Sequence, residues 1–138
     1  MKFDAILRIG AKMFLPFILM FGLYVQLHGD YGPGGGFQAG VIAAAMVILY
    51  ALIFGLSAAQ RIVPMGLLET LIPLGVLVYA GTGVAALLLG GNYLDYSVLA
   101  HDQVHGQEWG IMFVELGVLI TVASTMTAIF YAFAGRGR

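Results

Sequence analysis

The chain has 138 residues, of which 61% are apolar and 9% charged, and its mean hydropathy is +0.97. An ordinary soluble domain carries about 25% charged residues, so this chain lacks the polar coat a soluble core needs, and it is far too apolar for intrinsic disorder. With no cysteine, disulfides, thiolate metal centres, iron–sulfur clusters and thiol nucleophiles are excluded. Six basic and seven acidic residues leave no basic footprint for nucleic acid.

The expected class is a single all-α integral membrane domain over residues 1–138. Four stretches reach the roughly 20 apolar residues that a membrane-spanning helix needs: about Ile9–Leu27, Gln38–Leu56, Ile62–Leu89 and Trp109–Ala134. The runs are continuous and far too long for strands. Ahead of the first span, Lys2 to Lys12 mixes Phe3, Ile6, Leu7 and Ile9 with charges and is expected to lie along the membrane interface. No small-residue cleavage site follows the first span, so it reads as a retained helix and not as a leader. The third span is long and holds Pro64, Pro73 and Gly81-Thr82-Gly83, so a tilt, kink or local break is expected there, with close helix packing at the glycines as the plainer reading.

Charge sets the expected orientation. Lys2, Arg8 and Lys12 precede span one, Arg61 separates spans two and three, and Arg136 and Arg138 follow span four. With four spans these places share one side, which the positive-inside rule makes cytoplasmic, along with both termini. The other two connections hold Asp30, Asp95, Asp102 and Glu108 and no Lys or Arg.

The most unusual segment is His28-Gly29-Asp30-Tyr31-Gly32-Pro33-Gly34-Gly35-Gly36-Phe37-Gln38. Three successive glycines open backbone angles closed to other residues, and Pro33 fixes a turn position beside them. Gly34-x-Gly36-x-x-Ala39 formally fits a dinucleotide fingerprint, but an apolar helix precedes it in place of the required strand. A tight inter-helix turn remains the simplest reading.

Pro33-Gly34-Gly35-Gly36-Phe37-Gln38 between two apolar helices resembles the MnhB family, one of the subunit types of the Mrp-type (Mnh) multisubunit sodium/proton antiporters. The resemblance extends to the basic N-terminal segment, to Pro16, and to Glu115-Leu116-Gly117-Val118. Two departures stand out: Ala39-Gly40 where the family usually has Gly-Gly, and His28-Gly29-Asp30 where it has a Gly-His pair. The resemblance implies a non-enzymatic component in the plasma (inner) membrane of a prokaryote. It also implies other antiporter subunits as partners, sodium and protons as transported ions, and no cofactor. Related subunits of membrane-bound hydrogenase complexes, and a purely structural packing role, are the alternative implications.

Glu115 and Glu69 lie within apolar helices, where an ionisable group is costly and by default a functional candidate. Each reads either as a proton carrier or sodium ligand, or as a protonated, paired or solvated structural group. Thr121, with Thr82, Ser124 and Thr125, is an in-chain candidate for a relay. Asp30, His101, Asp102 and His105 form a candidate proton-collecting antenna, since imidazole titrates near neutrality. A solvated loop is the plainer reading. His101 and His105 have the spacing of a zinc-binding helix but lack its glutamate base and a third ligand, so no metal site is expected.

Overall fold

The computed structural model describes residues 2–28 and 34–137. Helix α1 spans Lys2–His28, α2 Gly36–Phe54, the short α3 Leu56–Ile62, α4 Met65–Leu88 and α5 Gln103–Ala134. Single 3-10 turns lie at Tyr96–Val98 and Gly135–Gly137, and there is no strand among the described residues. Four of the helices are long and apolar enough to cross a membrane.

Several boundaries differ from those expected, each for a local reason. The basic segment and the first span form one helix from Lys2, with no boundary between them. Span two ends at Phe54, because Gly55 takes a positive φ of 102° while its N–H still bonds the Ala51 carbonyl. Leu56–Ile62 then becomes a helix of its own, and α4 starts at Met65 behind Pro64, whose missing N–H is harmless there. Helix α5 begins at Gln103, six residues before Trp109. Its first turns carry His105, Gln107 and Glu108, too polar to register as a span. Helix α4 runs unbroken through Pro73 and Gly81-Thr82-Gly83, so the expected local break is not formed. The Thr82 hydroxyl bonds the Val78 carbonyl one turn back, and the Tyr93 ring covers Gly83.

Helix α5 is the centre of the molecule. It packs against α4 on one side and α2 on the other, while α1 packs on α2 and touches α5. The helices thus form a row, α4–α5–α2–α1, rather than a closed four-helix ring. A row has two open faces, and only 11–22% of each span's most apolar window is buried within the chain. Lipid or other proteins must cover the rest, because large apolar side chains such as Phe14, Phe17, Leu52 and Leu77 are exposed.

In lipid, helices gain nothing by hiding apolar surface from water, so association depends on close fit and hydrogen bonds. Glycine supplies the fit here. A Cβ on Gly75 of α4 would collide with the Thr121 hydroxyl and lie 2.7 Å from the Gly117 carbonyl, and one on Gly117 would lie 2.7 Å from the Gly75 carbonyl. On the other side, a Cβ on Gly36 would collide with the Glu115 carbonyl, and one on Gly40 would lie 2.8 Å from Val122 Cβ. Cross-links add to this: the Thr121 hydroxyl donates to the Ile72 carbonyl (3.3 Å) and the Tyr131 hydroxyl to the Val63 carbonyl (3.0 Å).

The two ends of the row differ in charge. Arg8 and Lys12 of α1 lie over Phe54 at the end of α2, and Tyr131 near the end of α5 is tied to Val63 beside Arg61. Arg136 follows at the same end. Asp95, Asp102 and Glu108 occupy the opposite end.

The packing predicts that Gly75→Val, overfilling the α4–α5 crossing, destabilises the protein by about 1–3 kcal/mol. Gly81→Ala, where an added Cβ meets nothing within 4 Å, should be neutral or stabilising. Thermal unfolding of the two variants in one detergent, followed by circular dichroism, compares them directly.

Candidate functional site at the triple-glycine junction

Gly34, Gly35 and Gly36 lead into α2, and Gly35 is its N-cap, with φ at 118°. A side chain at that angle is strained, so the position favours glycine. The Gly35 N–H donates to the Val25 carbonyl of α1 (3.1 Å). On the other side, the Glu115 Oε1 atom of α5 lies 3.0 Å from where a Gly35 Cβ would stand. The loop is therefore clamped between α1 and the Glu115 side chain. Its third glycine lets the Glu115 backbone carbonyl touch the start of α2.

This arrangement also fixes the level of Glu115. It is half-buried, and lies 16 residues from Tyr131 at the basic end, or about 24 Å of helix axis. Counted along α5, it stands 12 residues from Gln103 and 19 from Ala134, so it lies in the half of the helix toward the acidic end. It also faces the N-terminal end of α2, whose aligned backbone dipoles present partial positive charge. A helix N-terminus and a carboxyl group complement each other electrostatically.

Gln26 is a buried polar residue that sequence reasoning did not single out. It follows Val25 on α1, and its side chain is only 8% exposed. Its Oε1 is buried with no hydrogen-bond donor among the described residues. An unsatisfied buried acceptor costs about 1–3 kcal/mol. The available signal was spacing: Gln26 lies one turn beyond Gly22, which packs on Ile42 of α2, so it shares the α2-facing side of α1.

The other candidates are placed as follows. Glu69 is exposed on the first turns of α4, at the basic end and remote from Glu115 along the helix row. Thr121 is six residues beyond Glu115 on α5, and its proton is given to Ile72. The Thr82 and Ser124 hydroxyls likewise donate to carbonyls four residues back, so these protons are engaged in helix bonds. Phe37 and Gln38 are both exposed on α2, with Phe37 at 63%. Asp30 and Pro33 lie outside the described residues.

The antenna candidates separate into two local motifs. Asp102 is the N-cap of α5: its Oδ1 accepts from the Val104 N–H (3.2 Å) and its Oδ2 lies 3.1 Å from His105 Nδ1. His101 precedes the helix, so it does not share a helical face with His105. Among the described residues no cluster of three His, Cys, Asp or Glu could hold a metal. Asp95 caps the Tyr96–Val98 turn, accepting from Ser97 Oγ at 2.6 Å. The His105 contact first, then the Val104 N–H, holds the Asp102 carboxyl below its ordinary 3.8. The Ser97 hydroxyl and N–H do the same for Asp95.

A depressed acid stabilises the fold above its unfolded pKa, and that contribution fades as pH falls through the folded value. The first turn of α5 should therefore hold at neutral pH and loosen in strong acid. In His105→Ala the Asp102 carboxyl should titrate at higher pH than in the native chain. Carboxyl carbon NMR of selectively labelled aspartate reads the shift; an unchanged midpoint would exclude the contact.

Comparison with known proteins places this geometry in a family. The family described as a domain related to the MnhB subunit of Na+/H+ antiporter matches residues 6–128. An antiporter subunit mnhB2 homologue of Staphylococcus haemolyticus is 30% identical over 135 residues, covering 96% of this chain and 95% of that protein. A Na(+)/H(+) antiporter subunit of Bacillus subtilis is 26% identical over 133 residues, covering 89% of this chain and 92% of its own. A Staphylococcus aureus mnhB2 homologue is 29% identical over 134 residues, covering 90% of this chain and 94% of its own.

Proposed function

The chain belongs to the family of domains related to the MnhB subunit of Na+/H+ antiporters, and from that premise we propose that it serves a bacterial plasma-membrane antiporter as a non-enzymatic component that shapes one mouth of an ion path. Both termini and all six basic residues then face the cytoplasm, and the acidic end faces outward. Its partners are the other membrane subunits of the complex, and the ions exchanged are sodium and protons, with no cofactor.

The observation that carries this reading is Glu115 beneath the triple glycine. It is the acid that the fold draws between helices, whereas Glu69 lies exposed near the other end. A carboxyl oxygen is a hard ligand for a monovalent cation and a carrier for a proton. The Val25 carbonyl of α1 accepts from the Gly35 N–H of the same loop, so α1, α2 and α5 meet at this point. Asp95 and Asp102 stay ionised well below neutrality at the outer end, so they raise the local cation concentration there.

The chain does not transport alone on this reading. An open row of four spans has no pair of repeats that could rock about a central site, and its two faces await neighbours. The large antiporter-type subunits supply the main channels, and this chain seals against them.

Two experiments test it. Deleting the chain should abolish sodium-dependent proton exchange in everted vesicles, and normal exchange without it would refute the role. Glu115→Gln, which keeps shape and removes charge, should cut exchange by about tenfold or more, roughly the loss expected when a charged group is replaced by a neutral isostere, while the complex still assembles. Full exchange in an assembled Glu115→Gln complex would leave a packing role only.

A further inference from the structure

At the basic end, two cations converge on one ring. The Arg8 guanidinium carbon lies 5.9 Å from the centroid of Phe54, and Lys12 Nζ lies 5.8 Å from it. The two residues are four apart on α1, so like charges occupy neighbouring positions of one helix face. Both are exposed, and neither forms an ion pair with an acid among the described residues; Asp4, one turn before Arg8, does not pair with it. The face of Phe54 attracts each cation weakly, but a neutral ring cannot neutralise two like charges on one exposed face. The pair is open to an anion.

An apolar groove begins where the cations end. Tyr50 lies one turn deeper on α2, its ring 4.7 Å from that of Phe54. With Leu15, Met46, Val47, Ile62 and Val63 it lines a cavity of about 120 Å³ between α1, α2 and α3. Leu15 is one turn deeper than Lys12 on α1, so the groove runs from the charged rim toward the hydrocarbon. Arg61, next to Ile62 on α3, is exposed and adds a further positive charge at this end of the protein.

We propose that Arg8, Lys12 and the groove under Phe54 form a binding site for one anionic phospholipid. Its phosphate lies between the two cations and an acyl chain lies along Tyr50, Leu15 and Ile62. Charge and depth select this occupant: a negative, oxygen-rich headgroup over an apolar tail matches a cationic rim over an apolar trough. Lipids of that kind concentrate at cytoplasmic membrane surfaces, where clustered basic residues attract them. A zwitterionic lipid fits the trough but brings its own cation to the rim. The inference needs only that the basic end meets a membrane interface, and it stands independently of the ion-exchange reading.

The test isolates the tagged chain, with whatever it assembles to, in polymer-bounded native membrane discs, and compares co-isolated lipids with the bulk membrane by mass spectrometry. Phosphatidylglycerol and cardiolipin should be enriched around the native chain. R8Q/K12Q should lose that enrichment with assembly intact, and R136Q, at the same end but over Phe133, should keep it. Absence of enrichment, or its survival in R8Q/K12Q, overturns the site. So does a zero-length carbodiimide cross-link from Lys12 to a carboxylate of a neighbouring protein, which would make the occupant a protein acid. If the double variant fails to accumulate, native mass spectrometry of the unaltered chain decides between lipids. Tighter binding of phosphatidylglycerol than phosphatidylcholine, by roughly tenfold or more as two basic contacts imply, supports it, and equal binding overturns it.

Discussion

The fold depends on how closely the backbone of α5 can be approached from two sides. In a bilayer no hydrophobic force brings helices together, so contact distance and backbone shape must do it. Gly75 and Gly117 let α4 and α5 touch carbonyl to Cα, and Gly36 and Gly40 do the same for α2 and α5. The second pair has the Gly-x-x-x-Gly spacing that puts two gaps on one helix face. Because α5 uses opposite sides for these two crossings, α4 and α2 lie on either side of it rather than against one another, and a row results.

That row explains features with no purpose in an isolated protein. Its buried set is small and made mainly of glycines and alanines, with Leu56, Leu68 and Tyr131 among the few larger members. Phenylalanines and leucines, which would fill a soluble core, instead point outward along α1 and α2. A chain built this way supplies surface to others. Membership in a family of antiporter subunits gives the same sense to the geometry: the open faces are where other subunits or lipids belong.

Much of this was legible in the sequence. Four spans followed from run length, because a bilayer demands about 20 apolar residues whatever the neighbours. The gathering of the basic residues at one end, away from Asp95, Asp102 and Glu108, followed from counting charges between the spans, and the signature loop pointed to the family. What could not be read was anything depending on polar helix or on helix pairing. The first turns of α5 were invisible because Gln103, His105 and Glu108 carry no apolar signal, although the Asp102 cap marks their start. Leu56–Ile62 read as the connection between spans two and three, because Ser57, Gln60 and Arg61 interrupt the apolar runs, and its helical turns between Gly55 and Pro64 carry no apolar signal. The relay drawn through Thr82, Thr121 and Ser124 rested on residue type, while their hydroxyls donate to carbonyls. Gln26 looked like a polar residue at a helix end, and its burial follows from an α1–α2 contact no single-helix pattern encodes.

The junction of Glu115 with the glycine loop brings these points together. A scaffold needs glycine at Gly36, where the α5 backbone presses on α2, but it does not need an acid at position 115. An ionisable group within a span is expensive in lipid. Nor does a scaffold need a glutamine at position 26, whose buried Oε1 has no donor among the described residues. Glu115 lies against a loop whose Gly35 angle favours glycine. Natural sequences tend to break local rules where function requires it. Packing alone accounts for the glycines, and Glu115 is the ionisable group that the fold brings against them.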